Sequence, residues 1–159
     1  MLKHSTVAVL DYGSQYTQLI ARRIREHQVY SEILPHTTSA DDIHNKNVDA
    51  IILSGGPSSV YDEGSPALDE NILEMGVPVL GICYGLHLLI THSGGNVKHK
   101  GQGEYGFSTI QSNGSSPLFL GVNSSTEVWM SHGDQIDSLG EGFHIIARSS
   151  NDIIAAIQH

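Results

Sequence analysis

Cys83 is the only cysteine in the sequence, and glycine stands two residues before it and one residue beyond Tyr84, in Gly81-Ile82-Cys83-Tyr84-Gly85. The apolar run Val77-Pro78-Val79-Leu80 leads into this segment, and the helix-like run Leu86-His87-Leu88-Leu89-Ile90 leaves it. That order describes a nucleophile at a strand-to-helix corner. A side chain at such a corner needs glycine on both sides, because the turn strains the backbone and the strand and helix approach closely. Sulfur at the first turn of a helix faces unpaired backbone N–H groups, which favour thiolate over thiol and bind a developing oxyanion. A lone cysteine is commonly a buried structural thiol. That role requires neither the glycine bracket nor the strand before it, so the chemistry expected is covalent acyl transfer through sulfur.

Acyl transfer also needs donors for the oxyanion, groups that hold the substrate, and a base that takes and returns a proton. The Gly55-Gly56-Pro57 turn follows the apolar run Val48 to Leu53. In a parallel sheet it lies at the same carboxyl edge as Cys83, where ligands bind. The sequence thus offers a backbone N–H of this turn as one donor and that of Tyr84, the residue after the nucleophile, as the other. A phosphate loop is the rival reading of the glycine pair, and no Gly-x-Gly-x-x-Gly or Gly-Lys-Ser/Thr pattern accompanies it. A further segment, Trp129-Met130-Ser131-His132-Gly133-Asp134, reads as the polar end of a strand or as a solvated turn. Among the ten histidines, His87, His92 and His99 lie nearest one another. Their spacing matches no ligand pair with carboxylate or cysteine partners, and no metal is expected.

The elements that must carry these groups follow from periodicity. Val7 to Leu10 reads as a buried strand, residues 14–27 as an amphipathic helix, and Val29 to Leu34 as a strand ended by Pro35. Ser39-Ala40-Asp41-Asp42 opens a short helix, Val48 to Leu53 is a second buried strand, and Ser65-Pro66 starts a helix that Gly76 terminates. Beyond Gly94-Gly95 come short β-like runs, Tyr105 to Gln111, Thr126 to Met130, His144 to Arg148 and Ile153 to Ile157, expected as antiparallel strands added to the core sheet. The fold class expected is α/β, a mostly parallel central sheet flanked by helices with a small antiparallel patch late in the chain. Residues 1–159 read as one domain, large enough to bury a core without disulfides or structural metal. No leader opens the chain at Met1-Leu2-Lys3-His4 and no apolar run approaches a membrane span, so a reducing cytoplasmic setting is the default. Eight basic against seventeen acidic residues give a net charge of −9, which argues against nucleic acid and for a small substrate.

Leu10-Asp11-Tyr12-Gly13-Ser14-Gln15-Tyr16, Ser54-Gly55-Gly56-Pro57-Ser58-Ser59-Val60-Tyr61, Gly81-Ile82-Cys83-Tyr84-Gly85 and Ser131-His132-Gly133-Asp134 together span nearly the whole chain. With these segments the sequence resembles the class I, triad-type glutamine amidotransferases, and within them the GMP synthase branch. Tyr84 discriminates, since sibling glutaminases, those of anthranilate, carbamoyl phosphate or CTP synthesis, usually carry leucine after the cysteine. The resemblance implies that Cys83 attacks the side-chain amide carbon of glutamine, ammonia leaves, and water releases glutamate from a thioester. It implies Gly56 and Tyr84 as backbone oxyanion donors, and Ser131, Gly133 and Asp134 as holders of the glutamine α-amino and carboxylate groups. His87 would face the substrate where the family usually has glutamine. No cofactor is implied for the glutaminase. ATP and magnesium belong to a synthetase domain, the implied partner, which aminates XMP to GMP and is absent from this chain.

The family's histidine and glutamate occur in a His-Pro-Glu segment on a strand following the one that ends in Ala155-Ala156-Ile157, whereas the sequence stops at Gln158-His159. The resemblance therefore implies that the base, with the last strand and helix, lies outside these 159 residues. His159 reads as an exposed terminal histidine, and Asp152 or His132 as stand-ins only if they reach the sulfur. Two competing readings are a cysteine peptidase or deglycase, which typically has histidine where Tyr84 stands, and a silent regulatory module that binds glutamine without chemistry. These residues alone are expected to hydrolyse glutamine very poorly, because a thiol without its general base loses much of its rate. Steady ammonia release from them, abolished by Cys83→Ala, would contradict this.

Overall fold

Thr6–Asp11 (β1), Tyr30–Pro35 (β2), Ala50–Leu53 (β3) and Val79–Gly81 (β4) form a parallel sheet in the order β2-β1-β3-β4. The structure is a computed structural model that describes residues 5–159, with the backbone alone at 100–102. Met1-Leu2-Lys3-His4 lies outside the described residues. Ala8, Val9, Leu10, Ile51 and Leu53 are fully buried, as the central strands of a parallel sheet covered on both faces must be. Leu10 pairs with Leu53, and Leu53 with Gly81, so the carboxyl ends of β1, β3 and β4 finish level.

Three helices accompany this sheet: Thr17–Glu26 (α1), Ala40–Asn45 (α2) and Tyr84–His92 (α3). α1 starts later than the pattern suggests because Asp11 Oδ1 accepts from Gly13 N–H at 2.9 Å and from Thr17 Oγ1 at 2.8 Å, holding the intervening residues in a turn. Ser39 caps α2 as expected, its hydroxyl accepting from Asp42 N–H at 3.2 Å.

The helix expected from Ser65-Pro66 does not form, and a single 3₁₀ segment, Glu70–Glu74, stands in its place. Competing hydrogen bonds at Pro66 and Asp69 explain the difference. The Pro66 carbonyl, which a helix would give to residue 70, accepts the Tyr84 hydroxyl at 2.5 Å. Asp69 accepts from Ala40 N–H at 2.9 Å and from Asn71 N–H at 3.1 Å, so its carboxylate caps one short turn and is held below its usual range, chiefly by the Ala40 bond. Gly76, at φ +71°, ends the segment as anticipated.

The late strands depart further from expectation. Asn96–Ser112 (β5), Ser125–Ser138 (β6), His144–Ser149 (β7) and Ile154–Gln158 (β8) form a separate antiparallel sheet in the order β6-β5-β7-β8, rather than joining the parallel one. Glycines that read as strand ends lie inside β5 and β6. A side chain on Gly103 would strike the His132 carbonyl and lie 2.8 Å from Gly133 Cα, beside a register shift between His99 and Glu104. For the same reason Trp129–Asp134 is no terminal turn but the interior of β6. Val97, Ile110, Ile136, Ile146 and Ala147 are buried in this sheet's core, while Tyr105, Phe107 and Trp129 are 71%, 80% and 61% exposed. Phe107 and Trp129 are register partners with rings edge-on at 5.1 Å.

The chain divides into two compact units, one up to Leu89 and one from Ile90, the boundary falling within α3. Among the described residues no helix is long and apolar enough to cross a membrane. In the first unit, β4 passes into α3 at very short range. A β-carbon on Gly81 would lie 2.6 Å from both the Gly85 carbonyl oxygen and Leu86 N, and one on Gly85 would strike the Leu53 carbonyl and lie 2.6 Å from Leu53 Cβ. Gly85→Ala should therefore destabilise the protein by at least about 2 kcal/mol through overpacking. Gly64→Ala, at φ +74° in open space, should cost only about 1 kcal/mol. Urea unfolding of both variants measures the difference, and equal losses would refute a backbone-contact role for Gly85.

Candidate active site

Cys83 occupies the corner between β4 and α3 at φ +49°, one of four non-glycine residues with positive φ among the described residues. This left-handed conformation costs a side-chain-bearing residue about 1–3 kcal/mol, and surrounding hydrogen bonds hold it. Ile82 N–H donates to the Leu53 carbonyl at 3.0 Å, Gly85 N–H to the Ser54 carbonyl at 3.1 Å, and His87 N–H to the Cys83 carbonyl at 3.0 Å. The corner is thus fastened to the end of β3 on both sides of the sulfur. Cys83 itself is exposed.

The sequence reading expects the start of the helix to favour thiolate, and here the structure differs. Although Cys83 keeps an open face, enough protein surrounds the sulfur that desolvation pushes the thiol above its ordinary value of 9.0. The Tyr84 N–H, at the start of α3, and the Gly56 N–H make no hydrogen bond within the described residues. A β-carbon on Gly55 would lie 3.5 Å from Cys83 Cβ, so the Gly55-Gly56 turn borders the nucleophile. On Gly56 it would lie 2.5 Å from the Tyr12 carbonyl oxygen, which leaves room for glycine alone.

Side chains behind these backbone groups are structural. Tyr84 is buried, its hydroxyl on Pro66 and its ring tilted against Tyr12 at 5.6 Å. Tyr12 also meets His36 at 5.5 Å. Burial, with Tyr84 beside it, raises the Tyr12 phenol to about 12. Its hydroxyl has no hydrogen-bond partner among the described residues. His87 is buried on α3, one turn beyond Cys83.

Cys83, Gly56, Tyr84 and His87 thus fall in the first unit, while Ser131, Gly133 and Asp134 lie in the second, within the span of β6. Ser131 is opposite Tyr105 and Asp134 opposite His99, with Asp134 Oδ1 3.1 Å from His99 Nδ1. A β-carbon on Gly133 would come within 3.0 Å of the His99 ring and 3.2 Å of the Tyr105 hydroxyl. His132 places Nδ1 3.0 Å from the Asp134 carbonyl oxygen and Nε2 3.3 Å from Glu104 Oε2. Glu104 is buried and accepts from Ser149 Oγ at 2.7 Å and Asn151 Nδ2 at 2.9 Å. Both stand-ins for a base are engaged elsewhere, His132 with Glu104 and Asp152 with Arg148 at 3.3 Å. His159 is exposed, with its ring edge-on to Phe143 at 5.1 Å.

Ser54 and Glu104 hold buried hydrogen bonds that sequence reasoning did not assign to them. Each carried a signal: Ser54 is a polar residue closing the apolar run of β3, and Glu104 is an acid at the edge of a β-like run, Tyr105 to Gln111.

Comparison with known proteins gives the same outline. The family model described as glutamine amidotransferase class-I matches residues 8–159. A GMP synthase [glutamine-hydrolyzing] of Lactococcus lactis subsp. lactis is 52% identical over 153 residues, covering 96% of this chain and 30% of that protein. One of Clostridium novyi is 49% identical over 156 residues, covering 98% and 30%. The chain therefore spans about 30% of the length of the curated relatives it matches. Among solved structures, a putative GMP synthase subunit from Thermoplasma acidophilum superposes with a TM-score of 0.84 at 26% identity, covering all of this chain and 80% of that one. A glutamine amidotransferase from Thermotoga maritima, at TM-score 0.79 and 20% identity, covers 99% of this chain and 72% of its own and shares the fold. With the family model matching almost end to end and near-half identity to these relatives, the chain belongs to the class I glutamine amidotransferases.

Proposed function

We propose that this chain is the glutamine-hydrolysing part of a GMP synthase, working through a thioester on Cys83. The observation that carries the reading is the strained, exposed cysteine at the carboxyl end of the sheet, bordered by the Gly55-Gly56 turn and followed by a helix whose first N–H is unpaired. As the Cys83 thiol gives up its proton, its sulfur forms a bond to the glutamine amide carbon, and the carbonyl electron pair moves onto oxygen, where the Gly56 and Tyr84 N–H groups receive it; the thiol's proton is the one the leaving nitrogen takes up. Collapse expels the nitrogen as ammonia once it is protonated and leaves a γ-glutamyl thioester. Water then adds to the same carbon, and glutamate and the free thiol return.

Ser131, Gly133 and Asp134 are the proposed holders of the α-amino and carboxylate groups of glutamine, and His87 a further substrate contact. The relatives' names, GMP synthase and glutamine-hydrolyzing, support ammonia transfer to a synthetase partner. Amination of XMP to GMP and a cytoplasmic setting belong to the same proposal. ATP and magnesium belong to that partner, and the thioester chemistry itself uses none.

Incubation with an electrophilic glutamine analogue, followed by mass spectrometry, should place an adduct on Cys83 that excess glutamine suppresses. Labelling indifferent to glutamine, or none, would overturn the glutaminase reading.

The raised thiol adds a pH dependence. Because burial favours the protonated form, Cys83 carries less thiolate at neutral pH than an ordinary cysteine. Its alkylation by iodoacetamide should rise with pH through a midpoint above 9.0. A midpoint below that value would mean that the start of the helix outweighs desolvation.

A further inference from the structure

We propose that Ser54 is a positioning residue for the oxyanion donor, its hydroxyl fixing the peptide between Gly55 and Gly56 in one orientation. The inference rests on the reading of Gly56 N–H as a donor to the oxyanion. Ser54 is fully buried at the end of β3, with its own N–H on the Leu10 carbonyl at 3.0 Å and its carbonyl on Gly85 N–H at 3.1 Å. Its backbone is therefore held from both sides. Its Oγ accepts from Tyr12 N–H at 2.9 Å and lies 2.9 Å from the Gly55 carbonyl oxygen.

A hydroxyl has a single proton to give. With the Tyr12 N–H occupying a lone pair, that proton goes to the Gly55 carbonyl. The chain contains no cis peptide among the described residues. In a trans peptide the C=O of one residue and the N–H of the next point in opposite directions. Holding the Gly55 carbonyl against the Ser54 hydroxyl therefore turns the Gly56 N–H the opposite way, and no protein acceptor among the described residues takes it up. A glycine pair is otherwise the segment most free to rotate this peptide by half a turn. Such a rotation would present an oxygen, rather than a hydrogen, to a developing anion. Steric restraint comes from the Tyr12 carbonyl against Gly56, and directional restraint comes from the Ser54 hydroxyl.

The test separates acylation from simple alkylation of Cys83. The γ-(4-nitrophenyl) ester of glutamate acylates the sulfur by forming an S–C bond at a carbonyl and expelling nitrophenolate, which needs no proton to leave. Iodoacetamide forms an S–C bond at saturated carbon and expels iodide, with no oxyanion. Ser54→Ala should slow the nitrophenolate burst by about 10-fold or more, up to the roughly 10²–10³ that loss of a whole oxyanion donor costs. It should leave the iodoacetamide rate unchanged, and Ser54→Thr, which keeps the hydroxyl, should recover the burst. Equal bursts in wild type and Ser54→Ala, or equal slowing with both reagents, would overturn the role of Ser54. A wild-type protein that gives no burst at all would instead overturn the glutaminase reading beneath it. Should Ser54→Ala fail to fold, hydrogen exchange on the unaltered protein decides: Gly56 N–H should exchange rapidly and Tyr12 N–H slowly, and a protected Gly56 N–H refutes the proposal.

Discussion

Leu53 and Gly85 meet backbone to backbone, and the distance between them admits no β-carbon on the glycine. From that approach follow the hydrogen bonds from Ile82 N–H to Leu53 and from Gly85 N–H to Ser54, the sharp entry into α3, and the left-handed backbone of Cys83 between them. The strain at Cys83 is sustained because both flanks of the turn are tied to one strand end. Were α3 a side chain's thickness further from β3, the chain could pass from strand to helix in relaxed conformations and the sulfur would not be thrust out at the rim.

Burial and reactivity pull against each other at this corner. The protein around the sulfur favours thiol over thiolate, so attack depends on removing a proton at the moment of reaction rather than on a standing thiolate. The same exclusion of solvent strengthens any N–H aimed at an anion, since a hydrogen bond to charge gains where the dielectric is low. In the proposed chemistry the ground state is thus made less reactive by the environment that stabilises the later charge. The orientation of a single peptide then matters greatly, and the fully buried Ser54 is placed to govern it.

Much of this was legible in the sequence where a local pattern has one physical solution. Glycines flanking a cysteine between an apolar strand and a helix signal tight packing, and Ser39 before two aspartates signals a cap. What escaped depended on partners distant in the chain. The Pro66 helix was lost to a hydroxyl on Tyr84 and a carboxylate on Asp69, neither visible in a helical pattern. The extent of β5 and β6 was hidden because glycine marks both strand ends and close approaches, and Gly103 and Gly133 are the latter. A raised Cys83 thiol was hidden for a related reason, since helix-end electrostatics follow from sequence and the protein packed around a sulfur does not.

Trp129 is the only tryptophan, and it sits more than half exposed on β6, edge-on to Phe107, in the unit that begins at Ile90. Its fluorescence is therefore an optical witness to the antiparallel sheet. The buried, mutually tilted rings of Tyr12 and Tyr84 supply the complementary near-ultraviolet dichroism. Melting curves recorded by the two probes would coincide if the units unfold as one cooperative body and separate if they do not.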